Sequence, residues 1–279
     1  MQAGRALVVS VLVAGAAASV ALATPRDRGA ASMLPRLAGV NFVSACGFSH
    51  RRSDDPIMFP RRPGVSHNHS FVGNVSTTAF STPKSLRRAA STCRRDGDTA
   101  AYWAPTLFVD GAPVPPQGAT IYYRRRAENA VLPFPAGLRM IAGDMGATSP
   151  QSMRVTFWNC GVDVDVARSS SVPACPAGAS LRLHVNFPDC WNGHTLDSAN
   201  HQSHMAYSVR GSCPASHPIA VPAISLIYRY PVSGGANVVL ASGGQFSGHA
   251  DFVNAWRQSE LTRLVDGCLN ALRHCGRGD

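Results

Sequence analysis

Histidines occur in three short polar segments of the chain, and each segment could supply groups to one functional site. The segments are His67-Asn-His69, His201-Gln-Ser-His204 and His249-Ala-Asp251. Imidazole is the commonest metal ligand in proteins and the commonest general acid or base near neutral pH. The segments therefore predict a polar site that binds a metal ion or transfers protons, and most of the chain must fold to assemble it.

The first two segments provide the predicted metal ligands. If residues 66–70 are extended, His67 and His69 point to the same face, because side chains alternate along a strand. His201 and His204 share a face if their segment forms one helical turn, since residues i and i+3 are neighbours on a helix. The four imidazoles favour copper or zinc as the cofactor.

The third segment provides the predicted catalytic pair, His249 and Asp251. Asp251 could orient the His249 ring, or the two groups could share the acid and base roles. An alternative for Asp251 is to cap the turn that follows it.

Aromatic residues suggest a second, metal-free interpretation of the site. Tyr102, Trp103, Trp191 and Tyr207 could stack on sugar rings while the polar groups bind hydroxyls. The leading hypothesis is therefore a secreted domain that binds or processes an extracellular carbohydrate polymer. A copper or zinc protein with redox or hydrolytic activity is one alternative. A structural, wall-associated protein with buried histidines is the other.

The sequence argues against nucleotide chemistry and gives a choice of anionic partners. It has no G-x-x-x-x-G-K loop, no G-x-G-x-x-G turn and no G-x-S-x-G elbow. The net charge is +10, with the excess in arginine pairs and triplets within residues 1–126. Guanidinium groups suit phosphate and carboxylate. An exported protein meets anionic wall polymers before nucleic acid, and a solvated arginine surface is the alternative.

The N-terminus predicts export. Arg5 precedes an uncharged segment, and Ala21-Leu-Ala23 fits a cleavage site. We predict a signal peptide at residues 1–23, a flexible leader at 24–38 and a single extracellular domain at 39–276. No later segment is long and apolar enough to span a bilayer, so we expect no membrane span after cleavage.

Eight cysteines follow the predicted signal peptide, which in an exported chain predicts up to four disulfides. The spacing leaves their pairing open. Cys268 and Cys275 lie at the end of a helix-like segment, and we expect each to reach back to the body of the domain.

Hydrophobic patterning predicts strands and one helix. The predicted strands are 39–46, 100–109, 120–123, 138–142, 155–158, 181–187 and 219–230. Apolar residues at helical spacing predict a helix at 259–274, with Ser259 as N-cap and Gly276 as its stop. We therefore predict a mainly β fold, an antiparallel sandwich-like domain with long disulfide-stapled loops and a C-terminal helix.

Several motifs in order along the chain resemble one family. They are Asp55-Pro-Ile, Pro63-Gly-x-x-His67-x-His69, Tyr102-Trp-x-Pro105, Phe187-Pro-x-Cys190-Trp-x-Gly193, His201-x-x-His204-Met-Ala-Tyr207 and His249-Ala-Asp251-Phe252. The chain resembles the secreted fungal and bacterial family called the domain of unknown function nineteen ninety-six. The resemblance implies a single extracellular domain and no particular activity.

The chain departs from the family pattern at three positions. Ser70, Asn192 and Asn200 stand where acidic residues are usual. The departures remove carboxylates and keep the histidines. They therefore weaken the case for a hydrolase mechanism that depends on those acids.

Overall fold

Short segments rich in apolar and aromatic residues form the strands. The structure is a computed structural model that describes residues 33–161, 166–235 and 237–276. The strands, numbered in chain order, are β1 (Asn41–Cys46), β2 (Phe48–Arg52), β3 (His69–Gly73), β4 (Ala101–Pro105), β5 (Leu107–Val109), β6 (Ala112–Val114), β7 (Gly118–Arg124), β8 (Arg139–Gly143), β9 (Thr156–Asn159), β10 (Arg182–Asn186), β11 (Cys190–Trp191), β12 (Met205–Ala206), β13 (Ile219–Ala220), β14 (Ala223–Arg229), β15 (Val238–Leu240) and β16 (His249–Val253). The helices are α1 (Pro83–Arg88) and α2 (Gln258–Leu264).

Two five-stranded antiparallel sheets make up most of the fold. The first sheet has the strand order β1-β7-β14-β10-β9, and the second has the order β2-β3-β4-β16-β8. Two three-stranded sheets, β12-β11-β13 and β15-β5-β6, complete the structure. The predicted mainly β, antiparallel, sandwich-like fold is confirmed.

The core lies between the inner faces of the two large sheets. Side chains alternate along each strand, so every second residue of the first sheet points inward. Phe42, Tyr123 and Leu226 of the first sheet are buried in one cluster with Tyr102 and Phe252 of the second sheet. Burial of each such side chain stabilises the fold by about 1.5–3 kcal/mol, which fixes the two sheets against each other.

The outer face of the second sheet is covered as well. Ile57, from the loop between β2 and β3, and Leu86 of α1 pack on Phe71 and Trp103 in a second buried cluster. This loop therefore lies against the strands and brings its polar residues next to those of the sheet.

Two prolines explain where the predicted strands are too long. The predicted strand 100–109 divides into β4 and β5 just after Pro105, the last residue of β4, and the predicted strand 219–230 divides into β13 and β14 at Pro222. Proline has no backbone N–H to donate to a neighbouring strand, so it interrupts the ladder.

The N-terminal predictions fall largely outside the described residues. The predicted signal peptide, residues 1–23, lies outside them, and so do residues 24–32 of the predicted flexible leader. The rest of that leader packs on the domain: Leu34–Leu37 form a 3-10 turn, and the side chain of Leu37 is buried.

Four disulfides join the eight cysteines. The pairs are Cys46–Cys93, Cys160–Cys175, Cys190–Cys213 and Cys268–Cys275. The expectation that Cys268 and Cys275 each reach back to the body of the domain is wrong. They pair with each other because the chain reverses after the helix, where Leu272 has a φ of 55°.

The predicted C-terminal helix is confirmed with different ends. α2 continues as a π-helical turn over Val265–Asn270, so helical backbone ends before Gly276. Ser259 lies inside α2 and does not cap it, because Arg257 precedes the helix. No helix among the described residues is long and apolar enough to cross a membrane.

A buried carboxyl group lies in the core, and its ionisation should make stability depend on pH. Asp98 is 2% exposed and accepts hydrogen bonds from Ser44 Oγ at 2.5 Å and from Tyr102 Oη at 3.0 Å. Burial raises the pKa of Asp98 to about 7, although these hydrogen bonds lower it. Between about pH 4 and pH 7, the folded protein therefore keeps a proton on Asp98, whereas the unfolded chain, in which Asp98 has an ordinary pKa near 4, has lost it.

Asp98→Asn should remove part of the pH dependence of stability. Because the folded-state pKa is raised, the stability that Asp98 contributes is complete below about pH 4 and is lost as the pH rises to about 7. The wild-type protein should lose a few kcal/mol over this interval relative to the variant. Urea unfolding of both proteins at pH 5 and pH 7.5 in EDTA measures the difference. Parallel changes in the two proteins would contradict this role.

Candidate functional site

Three histidine rings meet on the outer face of the second sheet. His69 begins β3 and His249 begins β16, and both strands pair with β4. Ring centroids are 4.2 Å apart for His67 and His69, 5.0 Å for His67 and His249, and 5.9 Å for His69 and His249. One nitrogen of each ring lies within 4.8 Å of the other two. We call these residues the histidine cluster.

Backbone carbonyls fix two of the rings in one tautomer. His69 Nδ1 lies 3.0 Å from the carbonyl oxygen of Asp54, and His249 Nδ1 lies 2.8 Å from that of Ser247. A carbonyl only accepts, so each Nδ1 carries the proton and donates it. In each neutral ring the lone pair is then on Nε2.

The cluster consists of neutral imidazoles. Burial lowers the pKa of His67 and of His249 to about 4. The pKa of His69 lies well below the usual 6.5, because the ring is fully buried and because His67 and His249 are close. Neutral imidazole is the form that binds metals.

Two carboxyl groups adjoin the cluster. Oxygens of Asp55 and Asp251 lie within 4.8 Å of each other and of a His69 nitrogen. Asp55 Oδ1 accepts hydrogen bonds from the backbone N–H groups of Ile57 and Met58. Burial raises the pKa of Asp251 well above the usual value, and the nearby Asp55 raises it further.

Polar atoms without partners are concentrated here. Nε2 of His67, His69 and His249 and both carboxyl oxygens of Asp251 are buried and have no hydrogen bond to any described residue. Asp251 Oδ2 lies 4.0 Å from His249 Nε2. Buried polar groups are nearly always paired, so these unpaired atoms are the ones in the cluster that could coordinate a metal ion.

A family model matches residues 55–256 of the chain, and its description is "Domain of unknown function (DUF1996)". The chain belongs to this family. The matched region begins at Asp55 and includes every residue of the histidine cluster and Asp251. No curated protein and no solved structure matches the chain.

Two predicted metal ligands, His201 and His204, do not join the histidine cluster of this DUF1996 domain. Both ring nitrogens of His204 have partners, with Nε2 2.7 Å from the carbonyl oxygen of Arg139 and Nδ1 2.9 Å from Ser198 Oγ. His201 Nδ1 lies 2.8 Å from a carboxyl oxygen of Asp197. The segment forms a turn that leads into β12 and no helix, so the two rings do not share a helical face.

The predicted sugar-stacking residues of the DUF1996 domain do not form one exposed platform. Tyr102 and Trp103 are 0% exposed, with Tyr102 in the main core and Trp103 in the cluster under the covering loop. Trp191 and Tyr207 are half-buried, and each donates to a backbone carbonyl, that of Thr195 and that of Asn186 respectively.

The predicted catalytic pair does lie at the cluster. His249 and Asp251 share one face of β16, as expected for residues two apart on a strand. Asp55 belongs to one of the motifs that resemble the family, but only the fold of the covering loop places it beside Asp251.

Proposed function

We propose that the histidine cluster binds a zinc or copper ion and that the protein uses it for hydrolysis. The observation that carries the proposal is the set of three buried Nε2 atoms without partners, grouped around one point. A divalent ion would accept all three lone pairs and would also offset the charge of Asp251 once it ionises.

The donor set suits these metals. Histidine ligands of zinc commonly donate their other ring N–H to a backbone carbonyl, and His69 and His249 both do so. Zinc–nitrogen bonds of about 2.0–2.1 Å place donor atoms about 3.4 Å apart, which is inside the 4.8 Å that bounds the separation of these nitrogens. Three protein ligands leave a fourth tetrahedral position for a water molecule, as in catalytic sites.

The neighbouring carboxyl group supplies the proton acceptor. A bound zinc ion lowers the pKa of its water to about 7. Once ionised beside the positive charge of a bound metal, Asp251, which has no competing hydrogen bond, would take the proton from that water or orient it. His67 is the partly exposed member of the cluster, so its side is where a substrate would approach.

Export and substrate class form part of the proposal. Four disulfides are consistent with a secreted protein, because such bonds persist in oxidising compartments. We propose that the protein acts outside the cell on an extracellular polymer. Carbohydrate polymers are the class to assay first.

Metal content tests the centre directly. We expect the purified full chain, after loading with zinc or copper and desalting, to hold about one ion per molecule by mass spectrometry. His249→Gln should lose the ion, since glutamine fills a similar volume without the imidazole donor.

The matched control is His204→Gln, which alters a buried histidine that has partners on both nitrogens. It should keep the ion. Equal metal loss in the two variants, or no stoichiometric metal in the loaded wild-type protein, would contradict the proposed centre. Near-ultraviolet circular dichroism confirms that each variant is folded.

A further inference from the structure

Arginine side chains line a groove of about 790 Å³ on the outer face of the first sheet. The seven arginines are Arg94, Arg124, Arg126, Arg154, Arg168, Arg182 and Arg229. Neutral polar groups of Asn159, His184 and Ser225 lie between them. We call this surface the arginine groove.

The strand register sets like charges against each other in this groove. Arg182 of β10 lies directly opposite Arg229 of β14, and opposite Asn159 of β9 on its other side. Like charges directly opposite on neighbouring strands destabilise a sheet. The proximity of Arg229, added to burial, lowers the pKa of Arg182.

Carboxylates do not neutralise these arginines within the described part of the chain. None of the described lining residues is aspartate or glutamate, and the ion pairs of the described residues include none of the seven arginines. Arg182 Nε is buried and has no partner there. Each guanidinium group can bind a carboxylate or sulfate through two hydrogen bonds.

The aromatic rings of the groove, Phe157 and Tyr122, already contact guanidinium groups. The ring of Phe157 stacks on His184 at 4.3 Å, and the guanidinium of Arg168 lies 4.6 Å from its centroid. The guanidinium of Arg124 lies 4.6 Å from the ring centroid of Tyr122. Single-stranded nucleic acids stack their bases on exposed aromatic rings, and the guanidinium contacts of Phe157 and Tyr122 compete with such stacking.

We infer that the arginine groove binds an anionic polysaccharide through its carboxylate or sulfate groups. The arginines bind the anionic groups, and the amide, imidazole and hydroxyl groups between them bind sugar hydroxyls. The inference is independent of the proposed metal centre, which lies on the outer face of the other large sheet.

Binding of defined polymers to the full chain tests the inference. The probes are polygalacturonate for carboxylate, dextran sulfate for sulfate, unmodified dextran and single-stranded DNA, each measured by titration calorimetry in about 0.1 M salt. We expect one or both anionic polysaccharides to bind more tightly than DNA, and unmodified dextran not to bind. The relative affinities of the first two polymers identify the anionic group.

The variant Arg182→Gln/Arg229→Gln should weaken polysaccharide binding about tenfold or more, because two charge-assisted contacts are lost. The control Arg87→Gln/Arg88→Gln removes the same charge from exposed positions on α1 and should leave the affinity unchanged. Arg154→Gln/Arg168→Gln, at exposed positions in the groove, gives a second variant with little risk to folding.

Three outcomes would overturn the inference. Equal losses in the groove variants and in the α1 control would mean that the affinity comes from overall charge. Tighter binding of DNA than of both anionic polysaccharides would assign the groove to nucleic acid. Absence of binding to either anionic polysaccharide would remove the assignment altogether.

Discussion

Asp251→Asn should stabilise the metal-free protein and weaken its metal binding. Asp251 is 0% exposed, neither carboxyl oxygen has a partner, and burial raises its pKa, so at neutral pH folding must place on Asp251 a proton that the unfolded chain does not carry. The amide of asparagine stays neutral, and its N–H group can donate to the nearby Nε2 of His249. We expect a gain of about 1–3 kcal/mol in the free energy of unfolding without metal. Metal affinity should fall at least about tenfold, because the adjacent negative charge is lost.

Urea unfolding in EDTA and in excess zinc measures both effects at once. The variant should be more stable than the wild-type protein in EDTA and less stabilised by zinc. Asp96→Asn, at an exposed position, serves as the control and should follow the wild-type protein under both conditions. A variant that is destabilised in EDTA and gains the wild-type increment from zinc would assign Asp251 a structural role alone.

Removal of the Cys46–Cys93 disulfide should destabilise the fold more than removal of the Cys268–Cys275 disulfide. Cys46 and Cys93 are 47 residues apart, and the enclosed segment carries Asp55, His67 and His69. Cross-linking such a segment removes loop-closure entropy from the unfolded chain, so the Cys46→Ala/Cys93→Ala variant should lose about 4 kcal/mol.

Cys268→Ala/Cys275→Ala is the comparison variant, because its disulfide spans only 7 residues. The same dependence of loop-closure entropy on loop length predicts that this variant loses about 2.5 kcal/mol of unfolding free energy. Chemical unfolding of the oxidised proteins gives both values. A larger loss for the shorter loop would show that local packing at the C-terminus outweighs loop entropy.

Local patterning was enough to predict most strands of the first sheet. Residues 120–123 alternate between inward and outward positions, and the predicted strand lies within β7. The alternation arises from the strand itself and needs no knowledge of its neighbours. The lengths of other strands depended on Pro105 and Pro222, whose effect on hydrogen bonding is also local.

The candidate site was only partly predictable. His67 and His69 are two residues apart, so their proximity followed from local geometry, and the same holds for His249 and Asp251. That these two pairs form one site depends on both β3 and β16 pairing with β4, and sequence spacing does not encode that pairing. His201 and His204 were assigned to the metal on the assumption of a helical turn, and a turn leading into a strand forms there instead.

The strand order also determines when the fold can form. β7 pairs with β14 in the first sheet, and β4 pairs with β16 in the second, so contacts far apart in sequence hold each sheet together. Folds dominated by such pairings form slowly, because a large loop must close before its contacts stabilise it. Neither large sheet can be completed before most of the chain has been synthesised. The cluster therefore cannot assemble until β16 has been made, and an N-terminal fragment that ends before β16 would contain two of the three histidines, His67 and His69, without the strand that carries the third.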